Sequence, residues 1–261
     1  MTPLIEHTLF GTIDRVATAI KRLREYEPAE GYYLAFSGGK DSVVLKRLAD
    51  MSGVKYDAHY AVSGIDPPEL VRFIKAEHVD VKWERNAPSF FTMLPVKGFP
   101  IRHGRWCCEK YKEAGGAERM VLTGVRWAES VKRKGRMMVE RCYNDPTKTY
   151  LHPIIDWTDQ DIWQFIRENN IPYCKLYDEG FKRLGCICCP MQSAASKRME
   201  LDRWPGFEKA YRIAFRKLHA MRLVSKPDAV AKWPGGDAMF DWWVSNESLP
   251  GEDEDQCPLF V

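Results

Sequence analysis

Tyr32-Tyr33-Leu34-Ala35-Phe36-Ser37-Gly38-Gly39-Lys40-Asp41-Ser42 is the stretch that decides the fold class. Its first five residues form a short apolar, aromatic run of the kind that makes a buried strand. The run stops at Ser37-Gly38-Gly39, and a helical pattern restarts with Val43, Val44, Leu45 and Leu48. A strand that feeds a helix through a glycine bend places that bend at the carboxyl end of the strand, where open α/β sheets bind ligands. Two glycines let backbone N–H groups converge on an anion, and the helix N-terminus adds a favourable partial charge. Lys40 supplies a full charge, the hydroxyls of Ser37 and Ser42 can donate to phosphate oxygens, and Asp41 either orients the loop or holds Mg²⁺. The bland alternative is a tight turn with a capping serine, but six specified residues at one strand–helix junction argue against it. The spacing is not that of a Walker A loop, so kinase or GTPase chemistry is not implied.

Working outward, apolar residues at Ile13, Val16, Ala17, Ile20 and Leu23 predict a helix over 13–23. Strands are expected over Tyr56–Val62, Val79–Trp83 and Met120–Thr123, with a helix near Pro68–Ala76. Asp161–Glu168 reads as an amphipathic helix with Thr158 as N-cap and Asp161 three residues on. Strand and helix recurring at this pace predict an α/β fold: a doubly wound, mainly parallel sheet with a C-terminal helical segment. We place a boundary near residue 190. Residues 1–190 then form the nucleotide-binding domain with the cysteine cluster. Residues 191–261 form a helical lobe rich in Lys197, Arg198, Arg203, Lys209, Arg212, Arg216 and Lys217, followed by an acidic tail over Gly251–Asp255.

The chain has 261 residues, 45% hydrophobic and 29% charged, and a net charge of +3 from 39 basic against 36 acidic residues. So small an excess does not by itself mark a nucleic-acid binder, and local clusters must carry that argument. No secretory leader and no membrane-length apolar run is visible, so a cytoplasmic protein without a membrane partner is expected. In a reducing cytosol, eight cysteines point to metal or redox chemistry rather than disulfides. Five of them fall in two tight groups, Cys107-Cys108 and Cys186-Ile187-Cys188-Cys189. Grouped thiolates suit zinc or an iron–sulfur cluster, and Cys186 and Cys189 can be presented by one tight turn. Buried free cysteines that merely pack are the alternative, and that reading is the expected one for the isolated Cys142 and Cys174. Arg126 follows Gly124 at the end of an expected strand, where a guanidinium can bind phosphate or sulfate oxygens bidentately. Arg133 and Arg136 are lesser candidates, because the basic run Lys132–Arg136 equally describes a solvated face.

Ser37–Ser42 resembles the pyrophosphate loop of the PP-loop ATP pyrophosphatases, which cleave ATP between the α and β phosphates. The resemblance implies bound ATP and Mg, with AMP transferred to a substrate oxygen or carboxylate. Further segments resemble the phosphoadenylylsulfate and adenylylsulfate reductases: Ser63–Glu69, Gly124–Arg133, His152–Trp157, Asp161-Ile162-Trp163, Ile171-Pro172-Tyr173, Leu176-Tyr177 and Gly185-Cys186. They run in one order over roughly residues 30–190. The cysteine layout resembles the 4Fe–4S ligands of assimilatory adenylylsulfate reductases, which implies Cys107, Cys108, Cys186 and Cys189 as ligands. Cys188 is additional to that pattern; it either replaces a ligand, approaches the cluster as a reactive thiol, or packs.

The chain lacks the Glu-Cys-Gly-Leu-His-like segment with which the reductases attack sulfur. Cys257 sits near the end in a different sequence, Asp255-Gln256-Cys257-Pro258-Leu259-Phe260. An ATP-type loop combined with reductase-like cysteines is closer to the ATP-pyrophosphatase component of DNA phosphorothioation systems. That resemblance implies sulfur transfer to DNA, a sulfur donor such as a cysteine desulfurase, and the catalytic set Lys40, Asp41, Arg126 and Cys188. The cofactor-binding set is Ser37, Gly38, Gly39, Lys40, Asp41, Ser42, Gly124, Arg126 and Arg133. Alternatives are sulfonucleotide reduction to sulfite, tRNA thiolation, and a non-catalytic nucleotide or iron–sulfur sensor. Gln256–Phe260 also resembles the short peptide that docks on the bacterial sliding clamp; a tail that tucks back on its own domain is the competing reading.

Overall fold

The computed structural model describes residues 4–8 and 11–246. The acidic tail, Cys257 and the clamp-like peptide lie outside them. The chain divides into two compact units, the first made of residues 1–87 and 108–185, the second of 88–107 and 186–261. The later break falls close to the boundary drawn near 190. The excursion over 88–107 has no counterpart in a linear division, because its apolar residues are spent in the second unit.

The first unit holds a six-stranded sheet of order β5-β4-β3-β6-β8-β7, with β3 Tyr32–Ala35, β4 Tyr56–Ala61, β5 Lys82–Glu84, β6 Met120–Leu122, β7 Val139–Arg141 and β8 Thr149–Leu151. All neighbours run parallel except β7, which is antiparallel to β8. Tyr32, Tyr33 and Leu34 of β3 are all buried, as the apolar run requires of a strand with neighbours on both sides. Helices α2 (Lys40–Ser52), α3 (Pro68–Glu77) and α6 (Asp159–Glu168) flank the sheet. The chain leaves β3 toward β4 through α2, whereas β6 pairs on the other side of β3. The strand order therefore reverses between β3 and β6, and the crevice beyond their carboxyl ends is the site such a sheet offers a ligand.

Two local expectations shift. Residues 11–14 form β2, paired with β1 (Ile5–Thr8) in a hairpin, and α1 spans Arg15–Glu25. The Asp14 side chain caps α1 by accepting from the Ala17 N–H at 2.9 Å, so Ile13 lies before the helix, 43% exposed. The strand expected from Val79 begins only at Lys82, with Val79 in solvent. Thr158 caps α6 as anticipated: its hydroxyl accepts from the Asp161 N–H while the Asp161 carboxylate accepts from the Thr158 N–H.

The second unit packs α4 (Phe90–Lys97), α7 (Ala194–Arg203), α8 (Pro205–Ser225) and α9 (Gly236–Ser245) around an aromatic core. Phe90, Tyr211, Phe215, Phe240 and Trp243 are all buried there. The basic residues of this lobe are largely occupied. Arg212 pairs with Glu208 and Asp241, Arg216 with Asp237, and Arg198 with Asp241. Lys197 is buried and donates to the Trp243 carbonyl at 2.8 Å and to Asn246 Oδ1 at 2.6 Å. Arg198, Arg212 and Arg216, three of the seven cations read from the sequence, are thus ion-paired within the lobe.

Candidate active site

The bend after β3 is shaped by its small residues. Gly38 has φ +72°, and a Cβ there would come within 2.7–2.8 Å of Ile74 and Leu70 of α3, so both the conformation and the space demand glycine. Ser42 Oγ donates to the Gly39 carbonyl at 2.9 Å and accepts from the Ser37 N–H at 3.3 Å and the Ser37 hydroxyl at 3.2 Å. Both serine hydroxyls therefore knit the loop together instead of extending toward a phosphate. Gly39 is the N-cap of α2 and offers no capping side chain. A helix N-terminus whose cap residue supplies no acceptor is the kind of end that suits an anion.

Around it lies a closed set of charges. The Arg126 guanidinium, wholly buried, donates through Nε to Asp41 Oδ1 at 2.7 Å, through Nη2 to Asp159 Oδ1 at 2.7 Å and through Nη1 to the Trp157 carbonyl at 3.1 Å. Burial works to lower its pKa, but the Asp41 charge and the bonds to Asp159 outweigh it and raise it. Arg126 has no donor pair turned outward for phosphate; it braces the loop. Asp159 is held below the usual carboxylate range: burial pushes it up, and the Arg126 bond and Lys40 charge pull it further down. Lys40 Nζ stands 3.3 Å from both Asp41 and Asp159. Gly124 makes the approach possible, since a Cβ on it would meet Asp41 atoms at 3.0–3.1 Å. Arg133 is elsewhere, on the short helix α5 (Val131–Lys134), ion-paired with Glu129.

Two residues of this site carried no role in the sequence reading. Asp159 follows the N-cap of α6, where an acidic residue is read as a partner of the helix dipole. Tyr177 was noted only inside a similar segment, yet its phenol oxygen accepts from the Lys40 N–H at 2.9 Å.

The Cys186–Cys189 turn belongs to the second unit and is clamped by its helices. Cys188 adopts φ +61° and its N–H donates to Glu200 Oε2 at 2.6 Å. The Cys189 N–H donates to Gln192 Oε1 at 3.0 Å, and Gln192 Nε2 in turn donates to Glu200. From α8 the Tyr211 hydroxyl donates to the Ile187 carbonyl at 2.8 Å. Burial raises the pKa of that phenol well above its ordinary value, and the charges of Cys188, Cys186, Cys107 and Cys189 raise it further. Cys186, Cys189 and Cys107 are half-buried, while Cys188 is enclosed and burial pushes its thiol well up. Among the described residues no three His, Cys, Asp or Glu side chains are grouped to hold a metal ion. The donor chemistry nevertheless fits a soft metal centre: free thiols, with Cys186 and Cys189 half-buried on a turn held by hydrogen bonds. Cys108 opens the short helical turn Cys108–Lys112 of the first unit, next in sequence to Cys107. Cys174 is buried, and Cys142 accepts from the Tyr150 hydroxyl.

Residues 31–192 match the family model of the phosphoadenosine phosphosulfate reductase domain. The chain belongs to that family. With it comes membership of the PP-loop ATP pyrophosphatase superfamily. Among relatives of this reductase-domain protein, the adenosine 5'-phosphosulfate reductase of Allochromatium vinosum is 25% identical over 209 residues, 73% of this chain and 80% of that one. The adenosine 5'-phosphosulfate reductase of Oceanobacillus iheyensis is 34% identical over 135 residues, 51% of this chain and 50% of that one. The uncharacterized protein MJ0973 of Methanocaldococcus jannaschii is 31% identical over 166 residues, covering 60% of this chain and 40% of that protein. The chain thus spans half or less of the length of these last two. Among solved structures, the phosphoadenylyl-sulfate reductase of Candida auris superposes with TM-score 0.49 at 18% identity, over 65% of this chain and 88% of that one. The FMN adenylyltransferase of Candida glabrata does so with TM-score 0.49 at 16% identity, over 72% of each. Among the described residues no helix is long and apolar enough to cross a membrane.

Proposed function

We propose that this reductase-domain protein binds Mg·ATP at residues 37–42, releases pyrophosphate by adenylylating a substrate, and supports sulfur transfer of the DNA-phosphorothioation kind. The acceptor oxygen attacks the α-phosphorus, the new O–P bond forms as the bond to the β-phosphate breaks, and pyrophosphate leaves with the electron pair. The observation that carries this reading is the N-terminus of α2 at the sheet's switch point, begun by a glycine with no capping side chain of its own and with Lys40 beside it. Asp41 faces the same crevice with one oxygen on Arg126 and the other near Lys40, where it orients the loop or carries Mg²⁺. Cys107, Cys108, Cys186 and Cys189 would hold a 4Fe–4S cluster, which when bound supplies a redox-active centre able to position sulfur. The enclosed Cys188 serves the turn more readily than it serves as an accessible nucleophile. Exposed Lys209 and Lys217 of the second unit are among the cations open to a nucleic-acid backbone, DNA or tRNA. Sulfur itself would come from a desulfurase-type donor.

Similarity to proteins named as adenosine 5'-phosphosulfate reductases favours a second reading, reduction of a sulfonucleotide to sulfite. One anaerobic experiment separates them. The purified protein is incubated with ATP and duplex DNA or tRNA, and in parallel with adenylylsulfate and a dithiol reductant, following pyrophosphate and sulfite. ATP-dependent pyrophosphate that is stimulated by nucleic acid and lost in Lys40→Ala and Asp41→Ala is the expected outcome. Sulfite without pyrophosphate overturns the proposal in favour of the reductase. Tight ATP binding with neither product points to the non-catalytic sensor.

A further inference from the structure

Beside the phosphate loop stands a polar hydrogen that the fold leaves unspent. Tyr177 ends the short helical turn Lys175–Tyr177, and its ring is caged edge-on by Trp163 of α6 at 5.2 Å and flanked by Tyr173 at 6.4 Å. The cage aims the phenol at the bend: its oxygen accepts from the Lys40 N–H at 2.9 Å and would lie 3.4 Å from a Cβ on Gly39. Lys40 is the first residue of α2, so the phenol oxygen sits among the amides of an anion-binding helix end. A phenol is both acceptor and donor, and here the acceptor role is filled. Among the described residues no acceptor takes the Tyr177 hydrogen. An oxygen that receives an N–H turns its own O–H away from that donor, and this O–H is free to rotate toward a ligand oxygen at the helix terminus. Burial keeps the phenol protonated by raising its pKa, so it remains a donor well into the alkaline range.

We propose that Tyr177 is a phosphate-binding residue, its hydroxyl donating to a non-bridging oxygen of the nucleotide triphosphate, or of pyrophosphate, seated at the N-terminus of α2. This rests on the nucleotide reading above and adds to it a donor outside the glycine loop, carried by the segment after α6. Tyr177 then does for the ligand what the serines do not, since Ser37 and Ser42 spend their hydrogens on the loop.

The test is calorimetric titration of the full chain with inorganic pyrophosphate and with Mg·α,β-methylene-ATP, which cannot be split at the reacting bond. Wild type, Lys40→Ala, Tyr177→Phe and a protein with 3-fluorotyrosine in place of Tyr177 are compared. Tyr177→Phe is expected to weaken both ligands by about tenfold or more, the loss of one hydrogen bond to a charged acceptor, with an unchanged melting temperature without ligand. The fluorinated phenol, a stronger donor and weaker acceptor, is expected to bind both ligands more tightly. Equal or tighter binding by Tyr177→Phe overturns the proposal, because the phenol is then idle or an obstruction. So does weaker binding by the fluorotyrosine protein, which marks the oxygen as a mere acceptor for Lys40. If wild type binds neither ligand, the nucleotide reading falls and Tyr177 with it. If wild type binds, Lys40→Ala does not and Tyr177→Phe is unaffected, only the role of Tyr177 falls.

Discussion

Replacing Arg126 by methionine decides whether this residue holds the site or holds the substrate. Methionine keeps the length and apolar stem and removes the fork. In the folded chain the loss falls on three acceptors: Asp41 and Asp159, each 2.7 Å from a guanidinium nitrogen, and the Trp157 carbonyl at 3.1 Å. The Asp41 bond is charge-assisted and its carboxylate is only 22% exposed, so its removal costs about 2 kcal/mol. The carboxylate of Asp159 is 66% exposed and screened by water, and contributes about 0.5 kcal/mol or less. The orphaned Trp157 carbonyl brings the total to about 3 kcal/mol. Urea unfolding of Arg126→Met should show that loss without any nucleotide present. The same substitution in an Asp41→Asn background should cost clearly less, because the stranded carboxylate is gone. A guanidinium kept for substrate phosphate would behave oppositely: removing a buried, unliganded cation leaves stability unchanged or improved and weakens only ATP binding. Wild-type stability in Arg126→Met, with weakened nucleotide binding, would refute the bracing role.

Gly124→Ala should leave the fold standing and displace Asp41, because the added methyl meets Asp41 main-chain and Cβ atoms at 3.0–3.1 Å; pyrophosphate release should fall about tenfold with little change in melting temperature. A second expectation concerns acid. Burial, aided by the Lys46 charge and opposed by Asp80 and Asp50, lowers the pKa of His78 to about 4, and its Nε2 has no hydrogen-bond partner. The folded value lies below the unfolded one, so the contribution is complete above about pH 6.5 and is lost as pH falls toward 4, by up to about 3 kcal/mol. Urea midpoints measured across that window should flatten in His78→Phe, and an unflattened profile would assign the acid sensitivity to other groups.

The strand, bend and helix at Tyr32–Leu48 were legible because each signal there is local: a buried apolar run, two glycines, then a 3.6-residue period. The helix expected from Ile13 failed for the converse reason. Ile13 has helical spacing to Val16, Ala17 and Ile20, but it belongs to β2, and the decisive signal was the carboxylate of Asp14 as N-cap. Strands β7 and β8 are three residues each, too short for alternation to show. At the site, the residue types were readable and their assignments were not. Arg126 was correctly placed after β6, yet what a guanidinium binds depends on which carboxylates arrive from elsewhere, here 85 residues upstream and 33 downstream. The basic count of α7 and α8 was right as a sum. Its neutralisation depends on Asp237 and Asp241 of α9, which only packing brings near.

The two cations at the loop are held so differently that they must play different parts. Arg126 is wholly buried, and its contacts at 2.7 Å fall at the short end of charge-assisted bonds, which run about 2.7–2.9 Å. Lys40 stands 3.3 Å from each of the same two carboxylates, on a flexible stem, beside the open helix terminus. Lys40, Arg126, Asp41 and Asp159 sum to no net charge, so on the proposed reading the attraction for a polyanion starts from the dipole at the N-terminus of α2 and not from a surplus of cations. On the proposed reading Lys40 would exchange its long contacts for phosphate oxygens at little cost, leaving Asp159 still tied to Arg126 and Asp41 still in place. The loop would thus gain a cation for the ligand without loosening its frame. A lysine clamped as Arg126 is clamped would have to break that frame to reach the same oxygens.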